Sequence, residues 1–146
     1  VCPGKYIVIV TGELSAVNAS VQAAITQHPL HLIDSFVLGN PAEEIFPAIY
    51  GASRVSEVKA LGIIETYDPA AIIVAADQAA KTAEVSLIEI RLARGMCGKS
   101  YLLITGEVAA VEAAIANAQK SVEPRGMFLD SSVIARPDKK FIDHIM

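Results

Sequence analysis

Tryptophan is absent from this 146-residue sequence and aromatic residues make up only 5% of it, although 53% of its residues are hydrophobic. The apolar mass is therefore Ala, Val, Ile and Leu, small aliphatics that suit close helix-on-sheet packing and broad flat interfaces. Long apolar runs are missing as well. Stretches such as Ala70 to Ala76 and Tyr101 to Thr105 fall far short of the roughly 18–20 residues that a membrane span requires, so no span is expected. Cysteine is scarce: Cys2 and Cys97 are too few for a disulfide framework and each stands beside Gly or Pro, which fits a reducing cytoplasm. Basic excess is lacking too. A net charge of −4 and a pI near 5.3 remove the electrostatic reason to seek nucleic acid or an anionic membrane surface. Val1 to Val10 has neither the charged n-region nor the small-residue cleavage site of a signal peptide, so secretion is not expected and the chain reads as beginning mid-structure.

Catalytic constellations are also missing. There is no Ser-His-Asp set, no Walker loop and no Gly-x-Gly-x-x-Gly, and His28, His31 and His144 show neither metal-ligand spacing nor a partnered nucleophile. The histidines read as surface residues, and no enzyme is expected.

What is present is a repeat. Thr11-Gly12-Glu13-Leu14-Ser15-Ala16-Val17 recurs as Thr105-Gly106-Glu107-Val108-Ala109-Ala110-Val111. Downstream, Asp34-Ser35 reappears as Asp130-Ser131 and Pro41 as Pro137, after a short insertion in the second copy. Upstream, Gly4-Lys5 matches Gly98-Lys99, which sets Cys2 against Met96 and Pro3 against Cys97. The second copy reaches back to about Val58. A first copy of equal extent would need about 36 further residues before Val1, so the parent protein is expected to be a tandem two-domain chain. The domain reading is residues 1–50 as the C-terminal half of a first domain, 51–57 as linker and 58–146 as a complete second domain.

The punctuation of the second copy predicts strand, helix and strand in a definite order. Val58 to Glu65 reads as a strand, and Asp68 with Pro69 reads as the N-cap and first position of a helix running to Ala83. Val85 to Arg91 and Ser100 to Thr105 read as the arms of a hairpin across Gly95-Met96-Cys97-Gly98. Glu107 to Lys120 is a second helix, Met127 to Ile134 a fourth strand and Pro137 to Ile145 a closing helix. The order β-α-β-β-α-β-α is the split βαβ pattern of ferredoxin-like α+β folds. In the first copy Lys5 to Val10 is expected as a strand, Leu14 to Gln27 as a helix, His31 to Leu38 as a strand and Ala42 to Tyr50 as the closing helix.

This order, with Ala60-Leu61-Gly62-Ile63-Ile64-Glu65-Thr66, the string from Ala75 to Ala83, Gly106 to Val111 and Ala135-Arg136-Pro137-Asp138, resembles the bacterial microcompartment shell domain. Cys2-Pro3-Gly4-Lys5 and Gly95-Met96-Cys97-Gly98-Lys99 resemble the pore loops of its tandem-domain members, those of propanediol-utilisation compartments in particular. The resemblance implies a homotrimer whose six domains form a pseudo-hexagonal tile in a cytoplasmic shell, beside other shell proteins. Its central pore would be lined by Pro3, Gly4, Lys5, Gly95, Met96, Cys97 and Gly98. It further implies that Cys2, one from each of three subunits, holds a [4Fe-4S] cluster serving a redox partner enzyme, and that Lys81 and Arg136 lie at the tile edge. Taken without the family, Cys2 is a loop cysteine that binds nothing, and Lys81, four residues after Asp77, makes an exposed helical ion pair. Two positions depart from the family pattern: Asp138, where His is common, and Asn40-Pro41, where Arg-Pro is usual. The functional expectation is a structural shell tile whose pore conducts electrons through a cluster or passes small metabolites. The alternative is a small-molecule-sensing regulatory trimer of ferredoxin-like fold.

Overall fold

Ala60–Thr66 forms strand β1, and its apolar residues are buried on both faces over most of its length, as expected of a central strand. The computed structural model describes residues 4–145. Strand β2 is Val85–Arg91, β3 is Ser100–Gly106 and β4 is Phe128–Ala135. They form a four-stranded sheet in the order β2-β3-β1-β4, with every neighbouring pair antiparallel. β1 and β2 thus run parallel with β3 inserted between them, which is the split βαβ arrangement the element order predicts. Ladders shift register after Glu65 in the pairing with β4 and between Leu87 and Glu89 in the pairing with β3.

Two helices cover one face of the sheet: α3, Pro69–Thr82, and α4, Val108–Val122. The start of α3 follows from its sequence, since the Asp68 carboxylate accepts a hydrogen bond from Ala71 N at 2.8 Å and Pro69 occupies the first turn, where its missing N–H costs nothing. Ala71, Ala75, Ala76 and Ala79 of α3, and Ala114 and Ala118 of α4, are fully buried. These short side chains let the helices approach each other and the sheet, and Ile64, Ile72, Leu102, Ile104 and Val111 fill the remaining space. On the opposite face Leu61, Ile88 and Leu103 form a smaller cluster against Ile142 and Ile145 of α5, Lys139–Ile145. Val55, in the predicted linker, packs into that cluster as well.

The first copy departs from expectation. Helix α1 forms over Leu14–Gln27 and a short helix α2 over Ile45–Ile49, but neither Lys5 to Val10 nor His31 to Leu38 is a strand. In the complete copy β3 and β4 never touch; each pairs with β1, which lies between them. The first copy has counterparts of β3 and β4, and none of the described residues supplies the strand that would separate them. Its backbone donors and acceptors lack a ladder, so the side chains of an intended core stay in solvent: Tyr6 is 92% exposed and Val8 83%. Likewise α1 buries none of its residues, whereas its repeat partner α4 buries Val111, Ala114, Ile115, Ala118 and Val122. Local geometry still repeats, because Ser35 N bonds to Asp34 Oδ1 at 2.7 Å and Ser131 N to Asp130 Oδ1 at 2.8 Å.

Gly62 sets the distance between β1 and α4. A Cβ there would meet Val111 Cγ1 at 2.6 Å and Ile104 Cγ1 at 2.7 Å, with Ile115 Cδ1 at 3.0 Å, and all three belong to the close-packed core. Gly62→Ala is therefore expected to destabilise the protein by about 1–3 kcal/mol through overpacking. Urea denaturation measures it, and an unchanged midpoint would show that helix and strand are not so tightly apposed.

Candidate functional site

The β2–β3 hairpin closes through a loop of unusual backbone. Ala93, Gly95, Cys97 and Gly98 all have positive φ, at 58°, 74°, 55° and 100°. Glycine adopts such angles freely, but alanine and cysteine do so at a cost. Ala93 is held by its surroundings: it is 1% exposed and its N–H donates to Ser100 Oγ at 3.1 Å. Met96 N donates to Ala93 O and Lys99 N to Met96 O, at 3.3 and 3.1 Å, which folds the loop into consecutive turns and leaves the Cys97 thiol free and exposed.

The first-copy loop meets this one. Lys5 Nζ donates to Cys97 O at 3.1 Å, and a Cβ on Gly98 would lie 3.0 Å from that ammonium, so the absence of a side chain at Gly98 admits the lysine. Lys5 is thereby joined to the Gly95 to Gly98 turn. Cys2 and Pro3 lie outside the described residues. Next to the loop is a cavity of about 320 Å³ lined by Glu65, Met96, Cys97, Lys99 and Ser100. Among the described residues no group of three or more His, Cys, Asp or Glu is placed to hold a metal ion.

Lys81 is held through its side chain and Arg136 through its backbone. Asp77, one turn before Lys81 on α3, is 1% exposed. Its Oδ2 pairs with Lys81 Nζ at 2.7 Å, and its Oδ1 accepts from Ala42 N at 2.9 Å. Lys81 Nζ also donates to Asn40 O at 2.8 Å. The pair is thus a clasp that seats the Asn40-Pro41-Ala42 bend of the first copy on the second. It differs from a simple exposed ion pair because one partner is buried. Arg136 N donates to Lys59 O at 3.1 Å. Arg136 and its repeat counterpart Asn40 both precede proline and share a left-handed backbone, with φ of 52° and 55°, so the same bend is built in both copies.

Three further links between the copies were not foreseeable from spacing. Glu44 Oε2 accepts from Leu87 N at 3.3 Å, Arg125 forms an ion pair with Asp34, and Ile45 and Ala48 of α2 are buried in the core of the second copy. Each joins residues far apart in the sequence. Only the apolar character of Ile45 and Ala48 hinted at them.

A family model described as BMC domain matches residues 1–41 and 60–137. The chain is 36% identical over 137 residues to the bacterial microcompartment shell protein PduT of Citrobacter freundii, covering 94% of this chain and 74% of that protein. It is also similar to the crystal structure of a microcompartment protein from Desulfitobacterium hafniense DCB, at a TM-score of 0.81 and 42% identity, covering 90% of this chain and 73% of that one.

The clasp generates a test. Asp77→Ala leaves Ala42 N without its acceptor and Lys81 without its carboxylate, an expected cost of about 1–3 kcal/mol concentrated at the contact between copies. Hydrogen–deuterium exchange should accelerate over residues 40–50 and stay slow in β1 and β3. Unchanged exchange over 40–50 would show that the clasp does not hold the first copy in place.

Proposed function

Since the chain belongs to the BMC-domain family, we propose that it is a structural component of a bacterial microcompartment shell, working as a homotrimeric tile and not as an enzyme. The observation that carries this reading is the contact between copies. The Asn40-Pro41-Ala42 bend of one copy sits on α3 of the next, and the pore-type loops of both meet through Lys5 and Cys97 O. A head-to-tail contact of this kind is heterologous and generates a closed ring when its rotation closes. Three chains, each bringing a half that reads as the end of one domain, residues 1–50, and a complete domain, residues 58–146, would then set six loops around one axis.

At that axis the tile would present Gly4, Lys5 and Gly95 to Gly98, with Pro3, as the lining of a pore into or out of the compartment. Cys2 of each subunit would supply the thiolates for a [4Fe-4S] cluster, which when bound offers a one-electron path across the shell to a redox partner. Without it the same loops line a route for small metabolites. Lys81 and Arg136 would act at the outer edge, against other shell proteins. Lys81 would then serve twice, since its ammonium also bonds to Asn40 O within the chain.

Light scattering of the intact protein at micromolar concentration is expected to give the mass of three chains; a monomer or a dimer refutes the tile. Lys81→Ala is expected to weaken the flat assemblies seen by negative-stain microscopy while the trimer persists, and loss of the trimer would place Lys81 on the wrong surface.

The cluster has its own measurement. Protein made and purified without oxygen should be brown and contain about four irons per trimer, with a paramagnetic resonance signal after reduction. Cys2→Ser should abolish the iron and Cys97→Ser retain most of it. Iron-free protein after anaerobic reconstitution, or loss of iron in Cys97→Ser alone, leaves the pore as a metabolite channel.

A further inference from the structure

On the sheet face opposite α3 and α4, helix α5 leaves a cavity of about 390 Å³, within the range of small-molecule sites. Its floor and one wall are apolar: Leu61, Ile63 and Leu103 from the sheet, Phe141 and Ile145 from α5. Polar groups gather where β1, β2 and β3 approach the hairpin loop, because Arg91, Tyr101 and Glu65 lie side by side in the ladder.

The charges there are unevenly committed. Glu89 is saturated: Oε1 accepts from Arg91 Nε at 3.1 Å and Nη2 at 2.8 Å, and Oε2 from the Tyr101 hydroxyl at 2.9 Å. Arg91 also stacks 5.7 Å from the centre of the Tyr101 ring, so its positive charge is already engaged. Burial, then the Glu89 carboxylate, push the Tyr101 phenol above its ordinary value, which keeps it a donor to Glu89. His144 is tied through Nδ1 to Lys140 O at 2.6 Å. Glu65 lines the same cavity and is exposed, and its carboxylate has no hydrogen bond or ion pair to any described residue. Within this lining two carboxylates meet one guanidinium, which leaves the Glu65 carboxylate unmatched; Lys99 lines the neighbouring cavity with Glu65 and not this one.

We propose that this cavity binds an organic cation, a protonated amine on a short apolar body, with the ammonium at Glu65 and the body on the Leu61, Ile63 and Leu103 floor beneath Phe141. The Phe141 ring, 44% exposed at the mouth, adds a face that attracts cations. An anion of the same shape would face Glu65, and the one guanidinium in the lining already pairs with Glu89. The site lies on a different face from the α3 clasp and does not require the pore reading.

Three aromatic probes of similar size separate the contributions: benzylammonium, benzyl alcohol and benzoate, titrated into the isotope-labelled intact protein at neutral pH. Benzylammonium is expected to shift the amide resonances of residues 61–65, 101–103 and 141–145 saturably, and to bind more tightly than the alcohol, with benzoate weakest. Glu65→Gln, an exposed position, should weaken benzylammonium about fivefold, the effect of one exposed ion pair, and leave benzyl alcohol unchanged. Absence of saturable binding, equal affinity for all three, tighter binding of benzoate, or an unaltered benzylammonium affinity in Glu65→Gln would each overturn the proposal.

Discussion

Strand β1 is the constraint on which the other parts depend. It pairs with β3 on one side and β4 on the other, so those two strands have no ladder without it. Through Gly62 it also fixes how closely α4 approaches the sheet. The two copies of the repeat make the point within one molecule. Where β1 is present, the strands, both covering helices and the core form together. Where its counterpart is absent from the described residues, apolar segments of similar pattern remain unpaired and exposed, and only the locally stabilised α1 and the docked α2 are regular. Strand pairing requires a partner in space, whereas a helix closes its hydrogen bonds within itself.

The half copy is nevertheless integrated. Its closing helix buries Ile45 and Ala48 in the core of the complete domain, and Asp77, Lys81, Glu44 and Arg125 bind it by hydrogen bonds and ion pairs. The first copy touches the second through Lys5, Asp34, the Asn40 to Ala42 bend and α2, whereas α1 buries none of its residues. A repeat unit that cannot bury its own face borrows its neighbour's. The backbone is left-handed before both Pro41 and Pro137, and the first of these bends is the one that seats its copy on α3.

Charge is distributed with the same economy. Asp77 is buried because Lys81 and a backbone N–H meet it; Glu89 is half-buried because Arg91 and Tyr101 meet it. Removing one partner from such a site costs more than the pair contributes, so these groups define surfaces as much as they stabilise them. Glu65 stands outside this pattern, next to both an apolar floor and the hairpin loop.

Much of the complete domain was legible in the residues. Asp68-Pro69 announced α3 and the Gly95 to Gly98 turn announced the hairpin, because caps and turns are local chemistry. The family, too, was readable from short strings in a fixed order. What the sequence alone could not decide was contact. The same repeat that made Lys5 to Val10 look like a strand sets it against β3, and only the tertiary structure distinguishes them, because a ladder depends on a neighbour that the segment itself does not contain. Nor could spacing tell that Lys81 reaches Asn40 O, that Arg125 meets Asp34, or that Glu89 takes up Arg91 and leaves Glu65 alone. Those pairings follow from strand register and helix docking, which bring together side chains that the chain itself holds far apart.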